Sequence, residues 1–262
     1  MAKICTLFSG SSGNCTLISC GEQAVLVDAG VSCKRILESL NERNIDKDAV
    51  KGIFITHCHS DHIKGLKVLL SKLKIPMYAS KETLDFLMEK EMLSGDSIFY
   101  DIEDTINFPF DINAEFFRTS HDCPGSGGYI FSLNNGDKAV VCTDLGYVSD
   151  DIRNKIAGCK AVVIESNHDV GMLQNGRYPF ETKQRILSDK GHLSNVSCAC
   201  ELPGFVNVGT THIILSHLSR ENNTPELARV TSESVLFENG MKSMDDYMLY
   251  VAPASGGKIV YF

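Results

Sequence analysis

Four metal-competent side chains fall within six residues at His57-Cys58-His59-Ser60-Asp61-His62. Buried imidazoles and carboxylates need polar partners, and packing gives no reason to crowd them together. A metal ion does. Imidazole nitrogen and carboxylate oxygen are the donors that suit Zn²⁺ or Mn²⁺, and such ions make water nucleophilic near neutral pH. The run points to metal-assisted hydrolysis, against the plainer reading of a polar loop that happens to be rich in histidine.

These residues need a scaffold, and the flanking sequence supplies one. The apolar stretch 52–56 reads as a strand that ends at the run. Side chains alternate along extended backbone, so His57 and His59 can face the same way. Asp61 and His62 open the next helix, where Ile63, Leu66, Leu69, Leu70 and Leu73 recur at helical spacing. Three more candidates close strand-like stretches in the same manner: His121 after 115–120, Asp144 after 139–143 and His217 after 213–216. In open sheets, ligands gather at the carboxyl ends of strands. Asp28 ends Val25-Leu26-Val27 and reads either as a turn former or as part of the same site.

Strands are also expected near 4–8, 15–19, 24–28, 76–79, 114–119, 128–133, 161–165, 212–216 and 259–262. Helices are expected from Ser32 and over 81–90, 148–156, 180–188, 194–202 and 225–230. This mixture implies layered sheet-and-helix packing. Without repeats, low-complexity tracts or a Pro-rich linker, residues 1–262 read as a single domain.

The net charge of −8 argues against a protein that coats nucleic acid non-specifically, which needs many basic contacts to phosphate. It leaves a nuclease open, because metal dications offset acid locally. Residues 177–190, with Arg177, Lys183, Arg185 and Lys190, form the best candidate for a basic patch. No apolar run reaches the length of a membrane span, and the first residues lack the apolar core of a signal peptide. A cytoplasmic protein with no membrane contact and no obligate protein partner is expected. The ten cysteines are scattered without a Cys-x-x-Cys pair, and most read as free thiols in small buried sites.

Asp28, the His-x-His-x-Asp-His run, His121, Asp144 and His217, in that order, resemble the metallo-β-lactamase superfamily. The resemblance implies an α/β fold, the four-layer αββα sandwich of two mixed sheets with helices on both outer faces. Ser9-Gly10-Ser11-Ser12-Gly13-Asn14, Asp28-Ala29-Gly30, Thr143-Asp144-Leu145-Gly146, Glu165-Ser166-Asn167-His168-Asp169, Gly191-His192-Leu193-Ser194-Asn195 and His217-Leu218-Ser219 narrow it to the YycJ/WalJ (VicX) family. That family implies a DNA exonuclease working 5′ to 3′, with DNA favoured over RNA. Cys58 departs from a position that is often acidic in relatives, and it is not expected to bind metal.

Carried over by motif, His57, His59 and His121 would hold one divalent ion. Asp61, His62 and His217 would hold a second, with Asp144 between the two. Asp28 would orient a ligand imidazole through its free N–H. A hydroxide shared by the two ions would attack phosphorus in line. Asp61 would hold the nucleophile, and His192 would donate toward the phosphate or the leaving oxygen. Ser11 and Asn14 in the opening loop, with Asn167, His168, Ser194 and Asn195, are candidate substrate contacts. Ser194 and Asn195 can also cap a helix, the opening loop can be a turn, and His212 reads as structural. Two rivals stay open: a thioester or lactone hydrolase of the same fold, and a non-catalytic, metal-stabilised regulatory protein.

Overall fold

The computed structural model describes residues 1–93, 95–104 and 107–262. The chain opens with the antiparallel strands β1 (Ala2–Phe8), β2 (Cys15–Cys20) and β3 (Gln23–Val27). Helix α1 (Cys33–Asn41) carries it to β4 (Val50–Phe54), parallel to β3. Short helices α2 (Ser60–Ile63) and α3 (Leu66–Leu73) lead to β5 (Met77–Ala79); α4 (Lys81–Glu89) leads to β6 (Phe99–Asp101).

The second sheet is built from β7 (Ile112–Arg118), β8 (Gly127–Leu133), β9 (Lys138–Cys142), β10 (Ala161–Glu165), β11 (His212–Ser216) and β12 (Met248–Val251). Helix α5 (Asp150–Ile156) joins β9 to β10. Helices α6 (Val170–Asn175), α7 (Phe180–Leu187) and α8 (Asn195–Asn207) join β10 to β11, and α9 (Pro225–Glu238) precedes β12. The last strand, β13 (Val260–Tyr261), returns to pair with β1. The orders are β13-β1-β2-β3-β4-β5-β6 and β12-β11-β10-β9-β8-β7, and each sheet mixes parallel and antiparallel pairs.

Three apolar layers follow from strand alternation. In β3, Ala24 and Leu26 face α1 and α3, while Val25 and Val27 face the other sheet. In β10, Ala161 and Val163 face inward, while Val162 and Ile164 pack under α8 and α9. Between the sheets Phe54, Tyr78, Tyr129 and Phe131 are fully buried, and the Phe54 and Tyr78 rings stack at 4.8 Å. This is the αββα sandwich expected from the sequence.

Three of the expected helices take other bounds, and α6 was not expected. The run from Ile63 to Leu73 is two helices, because Gly65 interrupts it. The Gly65 N–H donates to the Ala29 carbonyl, and a Cβ there would sit 1.9 Å from the Val31 oxygen. Only glycine lets the segment after the histidine run lie so close to the chain beyond β3. Helix α8 continues five residues past Leu202 through Pro203, since Leu202 and Phe205 both dock on the second sheet. Helix α9 continues past Val230 because Ala228, Ser232 and Leu236, four residues apart, are all buried. Tertiary burial outweighs local propensity in both.

Candidate metal centre

Strands β3, β4, β7, β9, β10 and β11 send their C-terminal ends to one edge of the sandwich. Asp28 follows β3, the histidine run follows β4, and His121 follows β7. Asp144 follows β9, Glu165 ends β10, and His217 follows β11. Three of these residues, Asp28, Asp144 and His217, turn the chain in the left-handed region, at φ of 64°, 60° and 57°. Non-glycine residues there cost on the order of 1 kcal/mol each and persist only where the surroundings fix them. Backbone bonds do that fixing for Asp28. Ala29 N–H donates to the His62 carbonyl, Gly30 N–H to Asn14, and Asn14 N–H to Asp61.

The imidazoles are oriented alike. His62 Nδ1 meets Asp28 Oδ2 at 2.7 Å, and His217 Nδ1 meets Glu165 Oε1 at 2.7 Å. His121 Nδ1 donates to the Gly191 carbonyl at 3.1 Å. The Thr56 hydroxyl donates to Asp28, so its oxygen accepts from His57 Nδ1 at 3.0 Å. With Nδ1 protonated outward, each of the four rings turns an Nε2 lone pair inward. His57 Nε2 lies 3.0 Å from His59 Nδ1, which lies 3.3 Å from His121 Nε2. His62 Nε2 and His217 Nε2 each lie 3.5 Å from Asp61 Oδ2. Asp144 stands in the middle, with Oδ2 3.3 Å from His62 Nε2 and Oδ1 3.6 Å from His217 Nε2 and 3.8 Å from His121 Nε2. Asp144 Oδ2 is buried and accepts no hydrogen bond from the described residues.

Lone pairs and carboxylate oxygens thus converge, with the Asn14 amide N–H reaching Asp61 and His62 from one side. Divalent cations fit this arrangement, and the outward N–H bonds are the supports that metal-binding histidines use. The donors fall into sets within 4.8 Å of one another: His57, His59 and His121; Asp61, His62 and His217; His57, His62 and Asp144. The field draws positive charge. Burial alone would lower His62, but Asp28 and Asp144 push it up to about 10, and Asp144 and Asp61 likewise raise His217. Burial would raise Asp61, but hydrogen bonds and charge from His217 and His62 hold it far below the usual carboxylate range. His57, buried among other imidazoles, is held well down.

Sequence reasoning gave Glu165 no role, yet the structure gives it four partners. It accepts from His217 and His192 side chains and from the Leu145 and Leu193 backbone N–H groups, fully buried. Burial would raise its carboxyl, but the charge and hydrogen bond of His192, with the hydrogen bond from His217, hold it down to about 2. In turn Glu165 outweighs the burial of His192 and raises that imidazole above its ordinary value. Thr56 and Ser9, which bonds the His217 N–H, were also unassigned.

A cleft of about 370 Å³ opens over the centre, lined among others by Ser11, Asp61, Asn167, Tyr178, Arg185 and His192. Arg185 reaches it from α7 while bonded to Asp122, so the expected basic patch contributes one partly engaged cation. Asn14 touches Asp61 and His62, and Asn167 holds the His217 carbonyl at 2.8 Å. The remaining three candidate contacts sit elsewhere. Ser194 caps α8. Asn195 is 1 % exposed, with its amide bonded to Ser166 and Asn223. His168 is 1 % exposed, neither ring nitrogen has a hydrogen-bond partner among the described residues, and burial lowers it to about 4.

The chain matches the model of the metallo-β-lactamase superfamily over residues 9–185. It is 42% identical to the exodeoxyribonuclease YycJ of Bacillus anthracis over 239 residues, 89% of each chain. It is 37% identical to the exodeoxyribonuclease WalJ of Streptococcus pneumoniae over 252 residues, 95% of this chain and 93% of that one. In fold it is similar to the metallo-β-lactamase fold protein YhfI of Bacillus subtilis, at a TM-score of 0.71 and 15% identity, covering 99% and 98% of the two chains. The chain belongs to the metallo-β-lactamase superfamily and, within it, to the family of the YycJ and WalJ exodeoxyribonucleases.

Proposed function

We propose that this metal-dependent nuclease works with two divalent ions, Zn²⁺ or Mn²⁺, and removes nucleotides from the 5′ end of DNA. The activity named for the two bacterial relatives supports DNA as substrate. His57, His59 and His121 would hold one ion and Asp61, His62 and His217 the other, with Asp144 reaching both. When bound, such ions supply Lewis acidity, which polarises a phosphoryl oxygen and lowers the pKa of water.

The chain's own residues do the rest. Asp61, kept ionised by His62 and His217, orients the attacking water and accepts its proton. His192 faces the same cleft, its protonated form favoured by Glu165, and gives its proton to the leaving 3′ oxygen. Tyr178, Thr182 and Arg185 form the cleft wall along which a strand would lie. The observation that carries the reading is the His217–Glu165–His192 link, which ties a proton donor to the ligand cluster.

The test compares wild type with His59→Ala on 5′- and 3′-labelled DNA, single- and double-stranded, beside RNA and a thioester panel, with Mn²⁺ or Zn²⁺. Wild type should release labelled mononucleotide from the 5′ label at once and shorten the 3′-labelled strand gradually, while the variant does neither. Intact DNA alongside a cleaved thioester would sink the proposal.

A further inference from the structure

Cys58 and Cys123 take no part in the mechanism above, yet their sulfurs lie 3.1 Å apart across 65 residues of chain. Cys58 stands between His57 and His59 in the loop from β4 to α2, and Cys123 is two residues beyond His121. The two thiols therefore sit on the two segments that present the His57, His59 and His121 set. Cys58 is half-buried and open to a small oxidant, whereas Cys123 is 6 % exposed and shielded behind it. We propose that Cys58 and Cys123 are a modification site, closed to a disulfide by hydroperoxides and reopened by thiols, whose closure weakens metal binding.

The chemistry balances as two thiols and one hydroperoxide giving one disulfide, one alcohol (water from hydrogen peroxide) and one water. Cys58 sulfur takes the terminal oxygen of the hydroperoxide and becomes a sulfenic acid. Cys123 sulfur attacks that sulfur, the S–S bond forms, and the sulfenic oxygen leaves as water. A disulfide needs about 2.05 Å between sulfurs, so closure draws the two loops together by roughly 1 Å. Metal sites tolerate about 0.2 Å. The bond-forming half is independent of the nuclease reading; the effect on metal rests on the ligand set proposed there.

The test treats the full-length Zn²⁺-loaded protein with hydrogen peroxide, blocks free thiols with iodoacetamide and maps peptides by mass spectrometry. A Cys58–Cys123 cross-link should appear and vanish with dithiothreitol. Zinc affinity, read by competition with a chelating dye, should fall about tenfold, as when a ligand's support is lost, and recover on reduction. Cys123→Ser should show neither change. The exposed Cys200 serves as the internal gauge of dose. If Cys58 and Cys123 stay alkylatable at a dose that oxidises Cys200, or if Cys58 passes straight to sulfinic acid, the site is refuted. A cross-link that leaves zinc affinity unchanged overturns the coupling to the metal.

Discussion

The first sheet and the second sheet each bring half of the centre, and each half depends on one buried carboxylate. In the first, Asp28 holds His62 directly and His57 through the Thr56 hydroxyl. Every group it touches is itself a proposed ligand or leads to one. In the second, Glu165 holds His217 among the ligands and His192 on the cleft. The two anchors look equivalent on burial, at 3 % and 0 % exposed. Their partners make them different: Asp28 supports proposed ligands alone, while Glu165 also raises the cleft-facing His192.

Removing what the two halves share should erase that difference. Asp144→Asn is expected to abolish turnover and to leave little bound metal by atomic absorption, because the group between both donor sets loses its charge. Retained metal at wild-type stoichiometry would place Asp144 outside the cage.

Next in size comes Glu165→Gln set against Asp28→Asn. Loss of a ligand's outer partner costs roughly 10–100-fold, and that is the expectation for Asp28→Asn. Glu165→Gln should cost about tenfold more, since it also weakens the acid. The pH profile separates them. Glu165 raises His192, so activity that needs protonated His192 persists to higher pH. Without that carboxylate the imidazole loses its proton sooner, and the alkaline limb moves to lower pH. Asp28→Asn should leave the limb in place, and equal shifts in both variants would end the distinction.

Smallest is the effect of metal removal on stability. Ions that bind only the folded chain stabilise by about 3–4 kcal/mol at 100–1,000 times their dissociation constant. A chelator should therefore lower the melting temperature by on the order of 10 °C. The drop should be nearly absent in Asp144→Asn, which has little metal to lose.

The asymmetry between the anchors also explains what the sequence made legible. The histidine run is contiguous, and Asp28, His121, Asp144 and His217 each follow a recognisable strand, so their convergence follows from the fold. Glu165 ends a strand of Ala-Val-Val-Ile, where a carboxylate reads as the solvent-facing terminus. Its partners are 27 and 52 residues away. Periodicity carries no signal for a contact of that kind. Asn195 and His168 were expected as substrate contacts from their motifs, and their side chains are buried at 1 % exposure each. Helix ends at 202 and 230 were misplaced because burial, not propensity, carries α8 and α9 onward.

The left-handed turns at Asp28, Asp144 and His217 bear on how this chain would respond to selection. Glycine at any of them would relieve about 1 kcal/mol of backbone strain, but it would leave buried partners such as His62 and Glu165 unpaired, which costs as much or more. A screen for heat tolerance run on the metal-free protein should therefore gain nothing at these positions. The side chains hold the strained turns as much as the turns aim the side chains, so a stabilised variant has to be sought in the three apolar layers and away from the strand ends.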